Sequence, residues 1–254
     1  MHKTTKLLGV GLIFGAASLG AVEQANAATI VNLGSVSLFG GPGGLDLTGN
    51  FPYAINFSNN DPNRTVSGLT FLHDRQVIPG ATLVGPNEVT PWATTPSFGA
   101  TADENELEQI MADIRWANNG LGQTLRADLN VLTGRQYKLQ ILISGNQAEN
   151  RRWDISLDGL QAVDEITSLG LSGTPYSVNQ SVVYTHTFTA PDNQLNIVMG
   201  NLFGINDGGD RNAIWQGLTL EDVTPTSVIP EPATVALLGL SSLGLLRRRN
   251  RATA

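Results

Sequence analysis

Seven consecutive residues concentrate the polar chemistry of this chain: Asn206-Asp207-Gly208-Gly209-Asp210-Arg211-Asn212. Two carboxylates, two amides and two glycines in so short a span could hold Ca²⁺ through oxygen ligands or read sugar hydroxyls, with Arg211 as a donor. The spacing departs from that of an EF-hand loop, and Asp-Gly and Gly-Asp pairs also serve as plain turn chemistry. Asp207, Asp210, Arg211 and Asn212 are therefore the candidate ligand or Ca²⁺ residues, with a polar hairpin loop as the competing account. Beyond that Ca²⁺ reading no cofactor is expected.

The remaining candidates are weaker. The chain has no cysteine, which excludes thiolate metal sites, a cysteine nucleophile and a disulfide framework. His73 and His186 are the only histidines outside the N-terminal leader. His186 shares a strand face with Tyr184 and Phe188, and is either an acid–base group or a half-buried core residue. His73-Asp74-Arg75 could hold a catalytic pair, or could simply end a strand at the surface. No Ser sits in a G-x-S-x-G elbow. Glycoside hydrolysis needs two carboxylates, but Glu88, Glu104, Glu106, Glu108, Glu149, Asp154 and Asp207 offer too many, none in a distinctive context. Glu104, Glu106 and Glu108 sit where a helix start favours acids. Trp153 and Trp215 fall in strand regions and read as core; Trp116 and Trp92 read as loop-packing. No catalytic residue is assigned.

The elements that would position these groups are mostly strands. Tyr137, Leu139, Ile141 and Ile143 alternate along one segment, and Trp153, Ile155 and Leu157 along another. Val182, Tyr184, His186 and Phe188 alternate in a third, and Leu195, Ile197 and Met199 in a fourth. Such period-2 patterning bounded by Gly, Asn, Asp and Pro predicts a β-sandwich. Asp158-Gly159 supplies a tight turn. Further strands are expected at 29–39, 54–57, 66–72, 125–132 and 217–223, with surface loops at 40–44, 86–98 and 170–176. From 103 to 118 the period changes: Leu107, Ile110, Met111 and Ile114 lie on one helical face, with Thr101 and Glu104 as a capping box.

The body carries an ordered series of short motifs. They are Leu132-Thr133-Gly134-x-x-Tyr137-x-Leu139-x-Ile141, Arg152-Trp153-Asp154-Ile155-x-Leu157-Asp158-Gly159, and Tyr184-x-x-x-Phe188-Thr189. Leu195-x-Ile197 and Asn212-Ala213-Ile214-Trp215-x-Gly217-Leu218-x-Leu220 follow. Over roughly residues 120 to 223 the series resembles the galactose-binding-like jelly rolls, malectin-like modules in particular. The resemblance implies sugar binding by loops at one edge of the sandwich.

The two ends of the chain carry targeting signals. Lys3 and Lys6 precede an apolar stretch from Leu7 to Leu19, and Ala25-Asn26-Ala27 forms an A-x-A cleavage site. At the other end Pro230-Glu231-Pro232 is followed by a 14-residue apolar run, Ala233 to Leu246, and by Arg247, Arg248, Arg249 and Arg251. As a helix the run is roughly 21 Å long, short against a hydrocarbon core of about 30 Å. The arginines mark the cytoplasmic side. This order resembles the PEP-CTERM sorting tail of exported proteins from biofilm-forming Gram-negative bacteria. It implies recognition and removal by an exosortase-type membrane protease.

Between the tails the body holds 9 basic and 20 acidic side chains, a net −11, with Lys138 its only lysine. Such a surface repels nucleic acid and anionic lipid. The expectation is an all-β jelly-roll β-sandwich with one inserted helix, a signal helix at the N-terminus and a short transmembrane helix at the C-terminus. The divisions are 1–27 signal peptide, 28–223 sandwich, 224–229 linker and 230–251 sorting segment. The expected partners are signal peptidase and the export machinery, the exosortase-type protease, extracellular polysaccharide and, transiently, the inner membrane. The chain is expected to be exported, briefly anchored, and then placed at the cell surface or in the matrix as a non-catalytic glycan-binding or structural protein. The alternative is a secreted carbohydrate-active enzyme, a glycosidase or lyase, using a carboxylate pair.

Overall fold

The computed structural model describes residues 33–57, 62–89, 96–118, 123–144, 151–167, 179–202 and 211–225. The two targeting tails, Trp92, Glu149, Asp207 and Asp210 lie outside them. Six strands come first: β1 (Ser35–Phe39), β2 (Tyr53–Asn56), β3 (Arg64–Val66), β4 (Leu69–His73), β5 (Ala81–Val84) and β6 (Asn87–Val89). One helix, α1 (Ala102–Ala112), separates them from β7 (Ile114–Trp116), β8 (Thr124–Asn130), β9 (Gln136–Ile143), β10 (Arg152–Leu157) and β11 (Leu160–Thr167). The chain closes with β12 (Ser181–Thr189), β13 (Gln194–Gly200), β14 (Ile214–Trp215) and β15 (Gly217–Asp222).

These strands form the sandwich that the alternation predicts. A seven-stranded sheet runs β1-β12-β9-β15-β2-β4-β3, and a five-stranded sheet runs β11-β10-β13-β8-β5. The four strongly alternating segments pair antiparallel, β9 with β12 in one sheet and β10 with β13 in the other. Leu139, Ile141, Tyr184, Ile155, Ile197 and Met199 fill the space between the sheets. The opposite face of the large sheet is also covered. Leu107, Ile110 and Met111 of α1 pack on Phe71, Ala54, Leu142 and Val183. Leu142 therefore belongs to a second core, and β9 is buried on both faces. That is why its end, Ile141-Leu142-Ile143, reads as a continuous apolar run.

Three local expectations are corrected. The helix ends at Ala112, not near Asn118, because Asp113 turns extended (φ −109°, ψ 157°) and Ile114, Arg115 and Trp116 form a strand. Ile114 fits the helical period by coincidence; its side chain belongs to the core between the sheets. The segment 66–72 is a hairpin rather than one strand, folded at Ser67 (φ 51°) and Gly68 (φ 83°) between β3 and β4. Part of the presumed surface loop 86–98 is β6, which joins a third sheet of order β14-β7-β6. The Thr101–Glu104 capping box and the Asp158-Gly159 turn both form as expected.

The two ends of the sandwich differ. Asp222 pairs with Tyr137 and Thr189 with Gln136 at one end, where Thr224 Oγ1 accepts a hydrogen bond from Gln136 N (2.9 Å) as the chain departs toward the sorting segment. At the other end lie Phe57, Ser144, Gly200 and Trp215, with the small third sheet. The eight residues of β9 separate the ends by roughly 25 Å.

Gln216 locks that second end. It is fully buried, its Oε1 accepts from Ser144 N (2.8 Å), and its Nε2 donates to Ser144 O (3.1 Å). Its own N–H donates to Leu142 O and its carbonyl accepts from Phe57 N. Gln216→Leu keeps volume but strands two buried backbone groups, each worth about 1–3 kcal/mol. Urea unfolding should show a loss of about 3 kcal/mol with unchanged m-value. A loss below about 0.5 kcal/mol, typical of neutral surface changes, would mean that the side chain ties nothing.

Candidate cleft at the loop end of the sandwich

The third sheet assembles a charged site that no local motif announces. Arg115 sits on its central strand, β7. Glu88 lies directly opposite on β6 and Trp215 directly opposite on β14. Residues opposed across strands present neighbouring side chains on one face. Asp74 arrives from the large sheet: its N–H donates to Asn56 O (2.9 Å), carrying the β2–β4 alignment one residue past His73. Asp74 Oδ2 then accepts from Arg115 Nε at 2.5 Å.

From there the charges alternate. Arg115 Nη1 contacts Glu88 Oε2, and Arg75 Nη2 contacts Glu88 Oε1. The chain Asp74–Arg115–Glu88–Arg75 is balanced, minus-plus-minus-plus. It runs from inside to outside: side-chain exposure rises from 4% at Asp74 to 13%, 19% and 45%. Burial pushes the Asp74 carboxyl above its ordinary value, and the Arg115 guanidinium pulls it down without offsetting that.

Beside this chain is a cleft of about 90 Å³, lined by Asp74 and Arg115, by Leu83 and Val84 of β5, and by Gly85 just after it. Its floor is Phe57 and Trp215, whose rings stack at 4.1 Å and 6°. Gly85 lets the β5 end approach the arginine: a Cβ there would sit 3.1 Å from Arg115 Cδ. Two polar atoms of the lining residues, Asp74 Oδ1 and Trp215 Nε1, are buried and find no hydrogen-bond partner among the described residues.

The sequence-expected sites fare unevenly. His73 and Asp74 do not act as a pair: His73 Nδ1 accepts from Arg75 N (3.3 Å), while Asp74 turns inward to Arg115. Asp74 is thus buried rather than an exposed loop end. His186 is half-buried, its ring stacked 5.7 Å from that of Phe188, and burial lowers its pKa. Trp153 and Trp215 are core residues. Trp116 is in a strand and half-buried, not at a helix end. Asp207 and Asp210 lie outside the described residues. Arg211 Nη1 donates to Asn201 Oδ1 (2.9 Å), and Asn212 is half-buried beside it. Arg211 therefore joins the two stems of the 203–210 segment. Arg115 was not named from the sequence, and Glu88 only as one of seven undistinguished carboxylates, since positions 88, 115 and 215 meet through strand register and Asp74 joins them from another sheet.

Other charges among the described residues are also paired. Lys138 contacts both Asp46 and Glu221, and Arg135 pairs with Asp222 at 2.7 Å, all at the end where the sorting segment departs. Burial would lower the Lys138 ammonium, but its two carboxylates together raise it above the ordinary value. Among the described residues no three acidic or histidine side chains are placed to hold a metal ion.

The Asp74 shift has a measurable sign. A carboxyl whose folded pKa is raised contributes stability that is full below its unfolded value, about 4, and is lost as pH rises through the folded value. Asp74→Asn cannot titrate. The melting temperature of the variant relative to wild type should therefore rise as pH climbs from about 4 through the raised folded value of Asp74, and level off above it. A relative fall over that window would mean that Arg115 outweighs burial.

Comparison with known proteins fits this architecture. Residues 228–251 match the PEP-CTERM protein-sorting motif. No protein of curated function matches the chain in sequence. Its fold is similar to the ANX2 ectodomain from Arabidopsis thaliana, at 12% identity and TM-score 0.52, over 69% of this chain and 50% of that one. It is also similar to the ANXUR2 extracellular domain from Arabidopsis thaliana, at 13% identity and TM-score 0.52, over 68% and 49%. Bacteroides uniformis β-glucuronidase aligns at 19% identity and TM-score 0.45, over 67% of this chain and 18% of that enzyme. The chain spans about half the length of the ectodomains it matches. At these identities the likeness is one of fold alone. The sorting motif marks the chain as an exported protein handled by exosortase-type processing and directed to the cell surface or extracellular space.

Proposed function

We propose that this protein is a non-catalytic component of an extracellular polysaccharide matrix, exported behind a signal peptide cleaved after Ala27 and held briefly at the inner membrane by residues 230–251. It binds glycan, or contributes structurally to the matrix, through its β-sandwich. The observation that carries the reading is the sorting motif at 228–251 joined to a sandwich whose cleft lies at the end opposite the departing chain. The cleft is thus separated by about the length of β9 from the point where the chain leaves the sandwich.

Binding is favoured over catalysis by the state of the carboxylates. Glycoside cleavage needs one carboxyl free to give a proton and another free to attack or activate water. Asp74, which lines the cleft, and Glu88, which does not, share one guanidinium, and Glu88 has a second. Held this way, the pair lends itself to fixing the geometry of the cleft.

Replacing Pro230-Glu231-Pro232 by alanines should leave the chain membrane-associated, with its arginine tail intact by mass spectrometry. The wild type should appear in the extracellular fraction starting near Ala28 and lacking the apolar run. The secreted protein should be retarded in affinity gels cast with matrix polysaccharide and release no new reducing ends from it. Full-length wild-type chain in the medium would overturn the processing, and a steady release of reducing ends would overturn the non-catalytic reading.

A further inference from the structure

We propose that the cleft is a subsite for one hydroxyl-bearing edge of a neutral sugar, whose hydroxyl donates to Asp74 Oδ1 and accepts from Trp215 Nε1. The proposal rests on the glycan-binding reading and names the chemistry of its site.

Two independent observations meet there. One is the cleft itself, about 90 Å³ and lined by both residues. The other is the pair of unsatisfied atoms. Asp74 Oδ1 belongs to a side chain only 4% exposed, and Trp215 is fully buried. Buried polar groups normally have partners, so each exception needs an explanation. One of these is an acceptor and the other a donor. A hydroxyl is both at once, and it is neutral.

Other ligand classes fit less well. An anion would meet the Asp74 carboxylate, and the guanidinium that could receive it already serves Asp74 through Nε and Glu88 through Nη1. A divalent cation would need several free oxygens, whereas both oxygens of Glu88 already contact arginines. Sugar rings often stack on exposed aromatic faces, but here Trp215 and Phe57 are buried and face each other. Recognition is therefore through the edge of the indole and not its face. The volume is well below the roughly 300 Å³ at which pockets enclose a whole small ligand. The cleft takes one edge of a residue, and the rest of the glycan lies outside it, past the half-exposed Val84.

The test uses the secreted protein, uniformly ¹⁵N-labelled, with the Trp215 indole N–H resonance identified by Trp215→Phe. Methyl glycosides of glucose, galactose and mannose are titrated separately, alongside glucuronate and CaCl₂. The Trp215 resonance should move with at least one neutral glycoside and not with glucuronate or Ca²⁺. In Asp74→Asn, which exchanges a charged acceptor for a neutral one, the apparent affinity should fall about tenfold with the folded spectrum preserved. Trp215→Phe should weaken binding of the same glycoside measured calorimetrically. A Trp215 resonance that ignores neutral glycosides, as it would if the atoms held only ordered water, overturns the proposal. So does an equal response to glucuronate or an unchanged affinity in Asp74→Asn. Retardation in polysaccharide gels separates the two levels. If wild type and Asp74→Asn are retarded alike, this subsite is wrong and the glycan-binding reading stands. If neither is retarded and no resonance moves, both fall.

Discussion

The architecture at the loop end depends on one change of partner. The chain bends at Gln216: Ile214 and Trp215 before it pair with β7, while β15 after it pairs with β9 and β2. The change happens at Gln216, whose backbone and side chain together make four hydrogen bonds, to Leu142, Phe57 and Ser144. Buried backbone that leaves one ladder must find partners elsewhere, and an amide side chain, with an acceptor and two donors, can stand in for a missing strand. Gly217 belongs to the same constraint, since a Cβ there would lie 3.2 Å from Ile55 O and 3.3 Å from Ile110 Cγ2. Trp215 thus points its ring at Phe57 because the next residue is held on both sides.

That local switch decides what the small sheet can present. With Trp215 fixed opposite Arg115, and Glu88 fixed opposite it on the far side, the guanidinium is placed before any ion pair is counted. Asp74 approaches from another sheet and completes it. Exposed ion pairs contribute little, and buried ones can be net unfavourable against an apolar replacement. A network graded from 4% to 45% exposure is therefore better understood as setting the shape and polarity of the cleft than as a source of stability. In a body with no disulfide, stability comes instead from the two apolar layers on either side of the large sheet.

Much of this was legible in the sequence where periodicity was long. The alternations through Tyr137–Ile143 and Val182–Phe188 gave strands and class, and Thr101 with Glu104 marked the helix start. The helix end was not legible, because Ile114 satisfies both a helical face and a strand facing the core. Ser67-Gly68 was missed as a turn since the residues on both sides are apolar enough to read as one strand. The cleft was invisible for a different reason. β6, β7 and β14 have three, three and two residues, too short to show any period. Glu88, Arg115 and Trp215 become neighbours only through the register of those short strands. His73-Asp74-Arg75 was noticed as a group, but its chemistry was misread from adjacency: the neighbour that matters to Asp74 is 41 residues away.

The division between the two ends bears on how such a protein can work. A subsite that grips one edge of a sugar residue supplies few contacts, and small contact areas rarely give tight binding after the loss of rotational and translational freedom. Affinity of useful size then has to come from many copies engaging one long polymer, where each later contact forms at high effective concentration. The sorting motif directs the chain to the cell surface or extracellular space, and on the reading proposed above the polymer it would meet there is a polysaccharide. Weak sites suit this arrangement better than tight ones, because a polymer held by many exchangeable contacts stays attached while each site remains free to release and rebind.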